Sequence, residues 1–333
     1  MKENYPIDFV VMWVDGNDPE WQNDFKKYYK NEKGLDASFS RVRDWDNLKY
    51  LLRSIEKFAP WYRTLHFVTY GHLPKWLNTN APKLHIANHK DFLPAEYFPT
   101  FSSFPTSINL HRIEGIAEHF VSFDDDMFLS QKVIPTRFFK KGLPVDCSQL
   151  TVIPIIQPFS HYTLNIMSVI KKRYNIQKQM KTNFGKWFNP KYGLKTVLKT
   201  AYLFPWANNC QLKNPHVPIP YLKSTFEKIW SEEYEILDAT ARSKFRSIAD
   251  VNAWIMRYEQ LASGNFYPNG YSDTHTDMIT DSNAEQIAHY ITKQKYTLFC
   301  INDNNDIADF EKTKSIINSA LEKILPEKSS FEL

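Results

Sequence analysis

The chain has 333 residues, 43% hydrophobic, 23% charged and 15% aromatic, which suits one large domain or two intimate ones and excludes a disordered chain. The longest early apolar run, Phe9–Val14, is far short of the ~20 residues that a membrane span needs. The net charge of +4 is unevenly spread: residues 1–146 are neutral, residues 147–226 carry eleven Lys/Arg and no Asp or Glu, and residues 227–333 are acidic.

Ile7–Val14 reads as a buried first strand that delivers Asp15-Gly16-Asn17-Asp18-Pro19 at its C-terminal end. Asp44 is placed to cap a helix running to Phe58, with Leu48, Leu51, Leu52, Ile55 and Phe58 at helical spacing. Strands are expected at Thr64–Tyr70 and Leu84–Ala87, and a helix at Thr106–Glu118. His119–Phe123 then reads as a strand running directly into Asp124-Asp125-Asp126. Strand, helix, strand in repetition predicts an α/β fold with a mainly parallel sheet and flanking helices. The acid-free stretch is less regular. It offers a strand at Leu150–Ile156, a basic region from Lys171 to Lys199, and a proline-rich turn over residues 215–220. Helices are expected at Thr225–Leu237, Ser247–Ser263 and Ile307–Ile324, with a last strand at Thr297–Ile301.

The chain has neither a GxGxxG nor a GxxxxGK[ST] phosphate cradle, and its three cysteines are too scattered for a disulfide framework or a zinc site. Met1–Pro6 lacks the basic and apolar stretches of a signal peptide, so a cytoplasmic protein is expected. The acidic run at residues 124–126 is the strongest local signal. Carboxylates crowded at a strand end repel unless a cation or solvent relieves them, and ligands of open α/β sheets bind at that edge. Mg²⁺ or Mn²⁺ bridging a diphosphate would suit this run; a solvated acidic turn is the plainer alternative. Asp15 and Asn302-Asp303 end other strands on the same expected edge. Arg41, Arg43 and Arg53 suit either anion binding or helix-surface pairing. His216 suits a general base or an ordinary surface histidine, and Arg242 and Arg246 suit a phosphate clamp or a solvated turn. Between Ile170 and Trp206, nine Lys/Arg interleave with aromatic residues. That composition fits single-stranded nucleic acid, an anionic lipid interface or a packed subdomain with a wet basic face.

Taken together, four ordered blocks resemble the Stealth family of sugar-phosphate transferases. They are residues 7–19, a second block from Arg43-Asp44-Trp45 through His111-Arg112-Ile113 to residues 124–128, a looser block with His216-Val217-Pro218 and Phe245-Arg246-Ser247, and Cys300-Ile301-Asn302-Asp303-Asn304. One departure is Ser107, where the family usually has Glu. The resemblance implies a glycosyltransferase-A-like nucleotide-sugar site and a basic aromatic-rich insertion. Together with the charge distribution it divides the chain at the charge boundaries into a nucleotide-sugar-binding part (1–146), an acceptor- or membrane-facing segment (147–226), and a helical part (227–333) returning a final strand and helix to the core. It implies transfer of hexose 1-phosphate from a UDP-sugar to a hydroxyl of a surface polysaccharide or its lipid-linked precursor, with UMP released. A metal-dependent glycosyltransferase releasing UDP is the alternative. By the same resemblance His216, Arg246 and Asp125 are catalytic, and Asp125 and Asp126 hold Mg²⁺ or Mn²⁺. Asp15, Gly16, Arg43, Arg53, Arg112, Asn302 and Asp303 bind substrate. An anionic membrane surface is a candidate partner, at the inner face, and nucleic acid is not.

Overall fold

The computed structural model describes residues 5–29, 35–36, 43–154, 156, 158–304 and 306–333; Arg41 lies outside them. A five-stranded sheet forms from β1 (Ile7–Met12), β2 (Leu65–Thr69), β3 (Leu84–Asn88), β4 (His119–Asp124) and β6 (Ile219–Leu222), in the spatial order β6-β4-β1-β2-β3. All pairs are parallel except β6 with β4. A second, three-stranded sheet comprises β5 (Met127–Leu129), β7 (Thr274–Met278) and β8 (Leu298–Asn302), with β8 in the middle. Flanking helices complete the mixed α/β architecture.

Strand β1 is buried on both faces, and the period-2 alternation of side chains explains why. Phe9 and Val11 enter one core with Phe67, Val121 and Phe123, while Val10 enters another with Val68 and Phe120. The first core takes in the helices Leu48–Phe58 and Phe310–Ile324; the second takes in Phe159–Arg173 and Trp254–Ser263. Asp8 falls on a buried face, where burial alone would raise its pKa. Hydrogen bonds from His66, Arg63 and the Ala117 amide outweigh that and hold the carboxyl below its ordinary value.

Several elements differ from expectation for local reasons. The helix expected from Asp44 begins at Leu48, because Asp46 has a left-handed φ of 53° and its amide is bound by the Asp44 carboxylate. The helix expected over residues 106–118 is a short one at Ser103–Ile108, capped by Ser102, followed by a 3₁₀ turn at Leu110–Arg112. Gly115, at φ 71°, then turns the chain into β4. The strand expected through Ile156 is confined to Leu150–Thr151. The proline-rich turn ends in β6, an edge strand where Pro220 does not interrupt an inner ladder. One expected helix is divided at Glu233 into Lys223–Glu232 and Tyr234–Arg242. Another starts at Trp254, since Asp250 accepts from the Ser247 amide and the Ser243 hydroxyl in the preceding turn. The helix Pro19–Tyr28, with Asp18 as its cap and proline in its first turn, was not anticipated.

Two buried histidines give a stability prediction. Burial pushes the pKa of both His89 and His111 down to about 3, so both are neutral in the folded chain. Below pH ~6.5 the unfolded chain protonates each of them and the folded chain does not, so stability falls as pH falls. Each site then contributes a slope of about 1.4 kcal/mol per pH unit. We expect His111→Gln to remove one such slope between pH 6 and 5, read by urea melts of both proteins. Equal slopes in the two proteins would refute it. The comparison is a difference because Asp250, raised to about 6 by burial, acts in the opposite direction.

Candidate active site

The acidic turn joins the two sheets. Asp124 ends β4, Met127 begins β5, and only Asp125 and Asp126 stand between them. The Ile301 amide of β8 donates to the Asp126 carbonyl at 3.0 Å, which ties the turn to the strand that ends in Asn302-Asp303. The C-terminal ends of β1, β4 and β8 thus supply Asp15, the acidic run and Asn302-Asp303.

Charge in this turn is poorly compensated. Burial, then the charge of Asp124, lifts Asp126 to about 7. Burial of the turn and the charges of Asp126 and Asp124 push Asp125 well above the ordinary carboxylate range, although its exposed side chain tempers that rise. Asp124 is raised by burial and opposed by His216 and Arg246, so both cationic candidates act on the turn. Asp126 Oδ1 is buried without a hydrogen-bond partner, and Asp126, His216 and Cys300 each offer a ligand atom within 4.8 Å of the others. The Cys300 thiol is itself raised well above its ordinary value by burial and by the charge of the neighbouring Asp126. A thiolate is a soft ligand and a carboxylate a hard one, so the unpartnered Asp126 oxygen suits a hard divalent cation.

His216 lies three residues before β6, whose pairing with β4 brings it beside the turn. Its Nε2 is 4.0 Å from Asp126 Oδ2. Its backbone has φ 48°, a conformation uncommon outside glycine and one that clusters at functional sites. The Thr276 hydroxyl of β7 donates to the carbonyls of Pro215 and His216, each at 3.0 Å, and Trp254 meets the imidazole edge-on. Arg246 donates to Ser103 Oγ at 2.9 Å and lies over the Phe104 ring, so its guanidinium is held at the start of the Ser103–Ile108 helix.

The remaining candidates divide. The Asp15 amide donates to His72 Nε2 at 2.7 Å, its carboxylate accepts from the Asn17 amide, and the Gly16 carbonyl accepts from Gln22. Arg43 is bidentate to Asp303, also donates to the Asn304 carbonyl, and lies over Phe310. It therefore fixes the loop after β8, and Asp303 reaches the turn electrostatically by raising Asp126. Arg53 and Arg112 are not brought to the turn. Buried Arg53 is saturated by Glu332, Glu322 and the Leu325 carbonyl, which pins the C-terminal segment to the helix Leu48–Phe58. Exposed Arg112 lies over Trp230 and donates to Asn109, while His111 beside it packs against Phe226. Arg242 pairs with Asp238 one turn earlier on its own helix. Ser107 turns its hydroxyl back to the Phe104 carbonyl of its own helix.

Asp44, not among the candidates, is electrostatically linked to the turn. It is half-buried and raised, first by burial and further by the charges of Asp46 and Asp15, and it acts in turn on Asp125. The signal available in the sequence was its place beside Arg43, one residue after the Asp303 anchor.

Comparison with known proteins matches the first two blocks. Residues 5–33 match conserved region 1 of Stealth proteins and residues 41–145 match conserved region 2. The chain is 38% identical over 336 residues to the capsular polysaccharide phosphotransferase WcwK of Streptococcus pneumoniae, covering 100% of this chain and 99% of that one. It is 36% identical over 333 residues to the receptor polysaccharide phosphotransferase WefC of Streptococcus gordonii, covering 98% and 99%. It is 34% identical over 330 residues to the exopolysaccharide phosphotransferase cps2G of Lactiplantibacillus plantarum, covering 98% and 96%. Among solved structures, the galactosyltransferase LgtC aligns over 94% of this chain and 95% of its own, at 10% identity and a TM-score of 0.35. With full-length identity of this order to three such enzymes, the chain belongs to the Stealth family of phosphotransferases.

Proposed function

We propose that the chain moves a hexose 1-phosphate from a UDP-sugar to a hydroxyl of a surface polysaccharide or its lipid-linked precursor. The product is a phosphodiester and the leaving group is UMP. The observation that carries this reading is the acidic turn between the two sheets, with a buried, unpartnered Asp126 oxygen and an imidazole 4.0 Å from the same carboxylate. Asp125 and Asp126 would hold Mg²⁺ or Mn²⁺, which when bound neutralises diphosphate oxygens. His216 takes the proton from the acceptor hydroxyl. The freed oxygen attacks the phosphorus that carries the sugar, and the bond from that phosphorus to the bridging oxygen breaks, so the bridging oxygen departs with UMP. Arg246 supplies positive charge to the phosphoryl oxygens. Asp15, Gly16, Asn302 and Asp303 line the donor side, and Arg43 holds Asp303 in place. The sugar C1–O bond is untouched, so its anomeric configuration is kept.

The test is to resolve the nucleotide formed from a panel of UDP-sugars, Mg²⁺ or Mn²⁺ and an acceptor extract. UMP, with phosphorus retained in the acceptor product, is the expected result. Acceptor-dependent UDP would overturn it in favour of attack at the anomeric carbon. The cation site has its own check. Asp126→Asn keeps the size and removes the charge, and Mn²⁺ affinity by calorimetry should fall by at least the roughly 10–100-fold that altering only the outer-shell partners of a metal's ligands costs. Unchanged affinity would remove Asp126 from the ligand set.

A further inference from the structure

The helix Leu194–Leu203 is built inside out. Its buried residues are Thr200 and Leu203, whereas Leu194, Leu198 and Tyr202 are 74%, 59% and 74% exposed. At 3.6 residues per turn these three, spaced by four, lie within about 80° of one another on the face opposite Leu203. The 3₁₀ turn Phe204–Asn209 extends that face with Trp206, 54% exposed and 6.1 Å from Tyr202 between ring centroids. An ordinary surface helix turns its apolar stripe to the core and its polar side to water; this one turns leucine and aromatic rings outward. Lys195 and Lys199 border one edge of the stripe, both exposed, with Lys199 Nζ reaching Thr151 Oγ1 at 3.3 Å.

Charge decides what this face meets. The helix stands in the 80-residue stretch, 147–226, that contains eleven Lys/Arg and no acidic residue. An apolar stripe with tyrosine and tryptophan, bordered by lysines and free of carboxylates, is complementary to the interface of an anionic bilayer, where rings and leucines enter the headgroup boundary and ammonium groups meet lipid phosphate. Among the described residues no helix is long and apolar enough to cross a membrane. We infer that the face formed by Leu194, Leu198, Tyr202 and Trp206 with Lys195 and Lys199 docks the protein on an anionic lipid surface. This goes beyond the transfer reaction and depends on neither its donor nor its acceptor.

The experiment is flotation of the full chain with phosphatidylcholine vesicles, with and without phosphatidylglycerol. Binding is expected to the anionic vesicles at low ionic strength and to be lost near 1 M salt, where the screening length is ~3 Å. Each lysine near such a surface is worth about a five-fold change in partitioning, so Lys195→Gln/Lys199→Gln should weaken binding about 25-fold. Leu198→Ser/Tyr202→Ser should weaken it at least about ten-fold by removing inserted apolar area, with an unchanged melting curve in the absence of vesicles. No flotation at low salt would overturn the inference, as would equal binding to neutral and anionic vesicles. So would concentration-dependent self-association abolished by Leu198→Glu without vesicle binding, which would assign the face to a second copy of the chain.

Discussion

His216→Asn is expected to lower kcat for UMP release by roughly 10²–10⁴-fold, the usual contribution of a positioned general base. KM for the donor should change little. Asparagine is the informative replacement because it tolerates the left-handed backbone that His216 adopts at φ 48°. The loop geometry, the Thr276 hydrogen bonds to the Pro215 and His216 carbonyls and the β6–β4 pairing are then kept while the imidazole is lost. A loss smaller than ten-fold would transfer the role to an aspartate of the acidic turn. Because Nε2 lies 4.0 Å from Asp126 Oδ2, Asp126→Asn affects both cation binding and the environment of the imidazole. The two substitutions should therefore be non-additive.

What the sequence made legible followed from periodicity. The apolar runs at residues 7–14 and 119–123 specify buried strands, and a parallel pair of such strands sets Asp15 and Asp124 at one edge. What stayed hidden depends on partners distant in the chain. An arginine fork fits a substrate phosphate and a chain carboxylate equally well, and nothing near Arg53 reveals that Glu332, 279 residues later, fills it. Arg112 was likewise claimed by an aromatic ring from another helix. The proline-rich run at residues 215–220 carries the signal of a turn; only its place at a sheet edge lets Pro220 sit in a strand and bring His216 beside the acids. Asp44 carries the residue type of a helix cap, and only the left-handed Asp46, whose amide it binds, shows that the helix begins later. The meeting of two sheets at residues 125–126 required β5, β7 and β8 to be assembled, and β7 has no apolar run to announce it.

Asp146→Ala should cost about 3–5 kcal/mol of folding stability, because it strands a fully buried guanidinium. Arg257 is 0% and Asp146 1% exposed, and the two are joined by paired bonds of 2.8 Å from Nε and Nη2. The network continues outward. Tyr271 donates to the same carboxylate at 2.6 Å, and Arg257 Nη1 donates to the Lys213 carbonyl and to Asn214 Oδ1. Asn214 in turn donates to the Tyr258 hydroxyl at 2.9 Å. Residues 213–214 are thus clamped to the helix Trp254–Ser263 immediately before Pro215 and His216. Two readouts separate the stability of the pair from its effect on this loop. In thermal melts, Asp146→Ala should lower Tm by roughly 4–7 °C, at about 1.4 °C per kcal/mol for 333 residues. The joint replacement Asp146→Leu/Arg257→Met removes both charges and should recover part of that loss. It should not recover kcat, since no fork then holds Lys213 and Asn214, and the imidazole that follows them loses its fixed approach to Asp126. A joint variant that melts close to wild type and also turns over at the wild-type rate would show that the pair stabilises the fold without positioning His216. One that regains no stability would show that the cost lies in lost packing around residues 213–214 and not in an uncompensated charge.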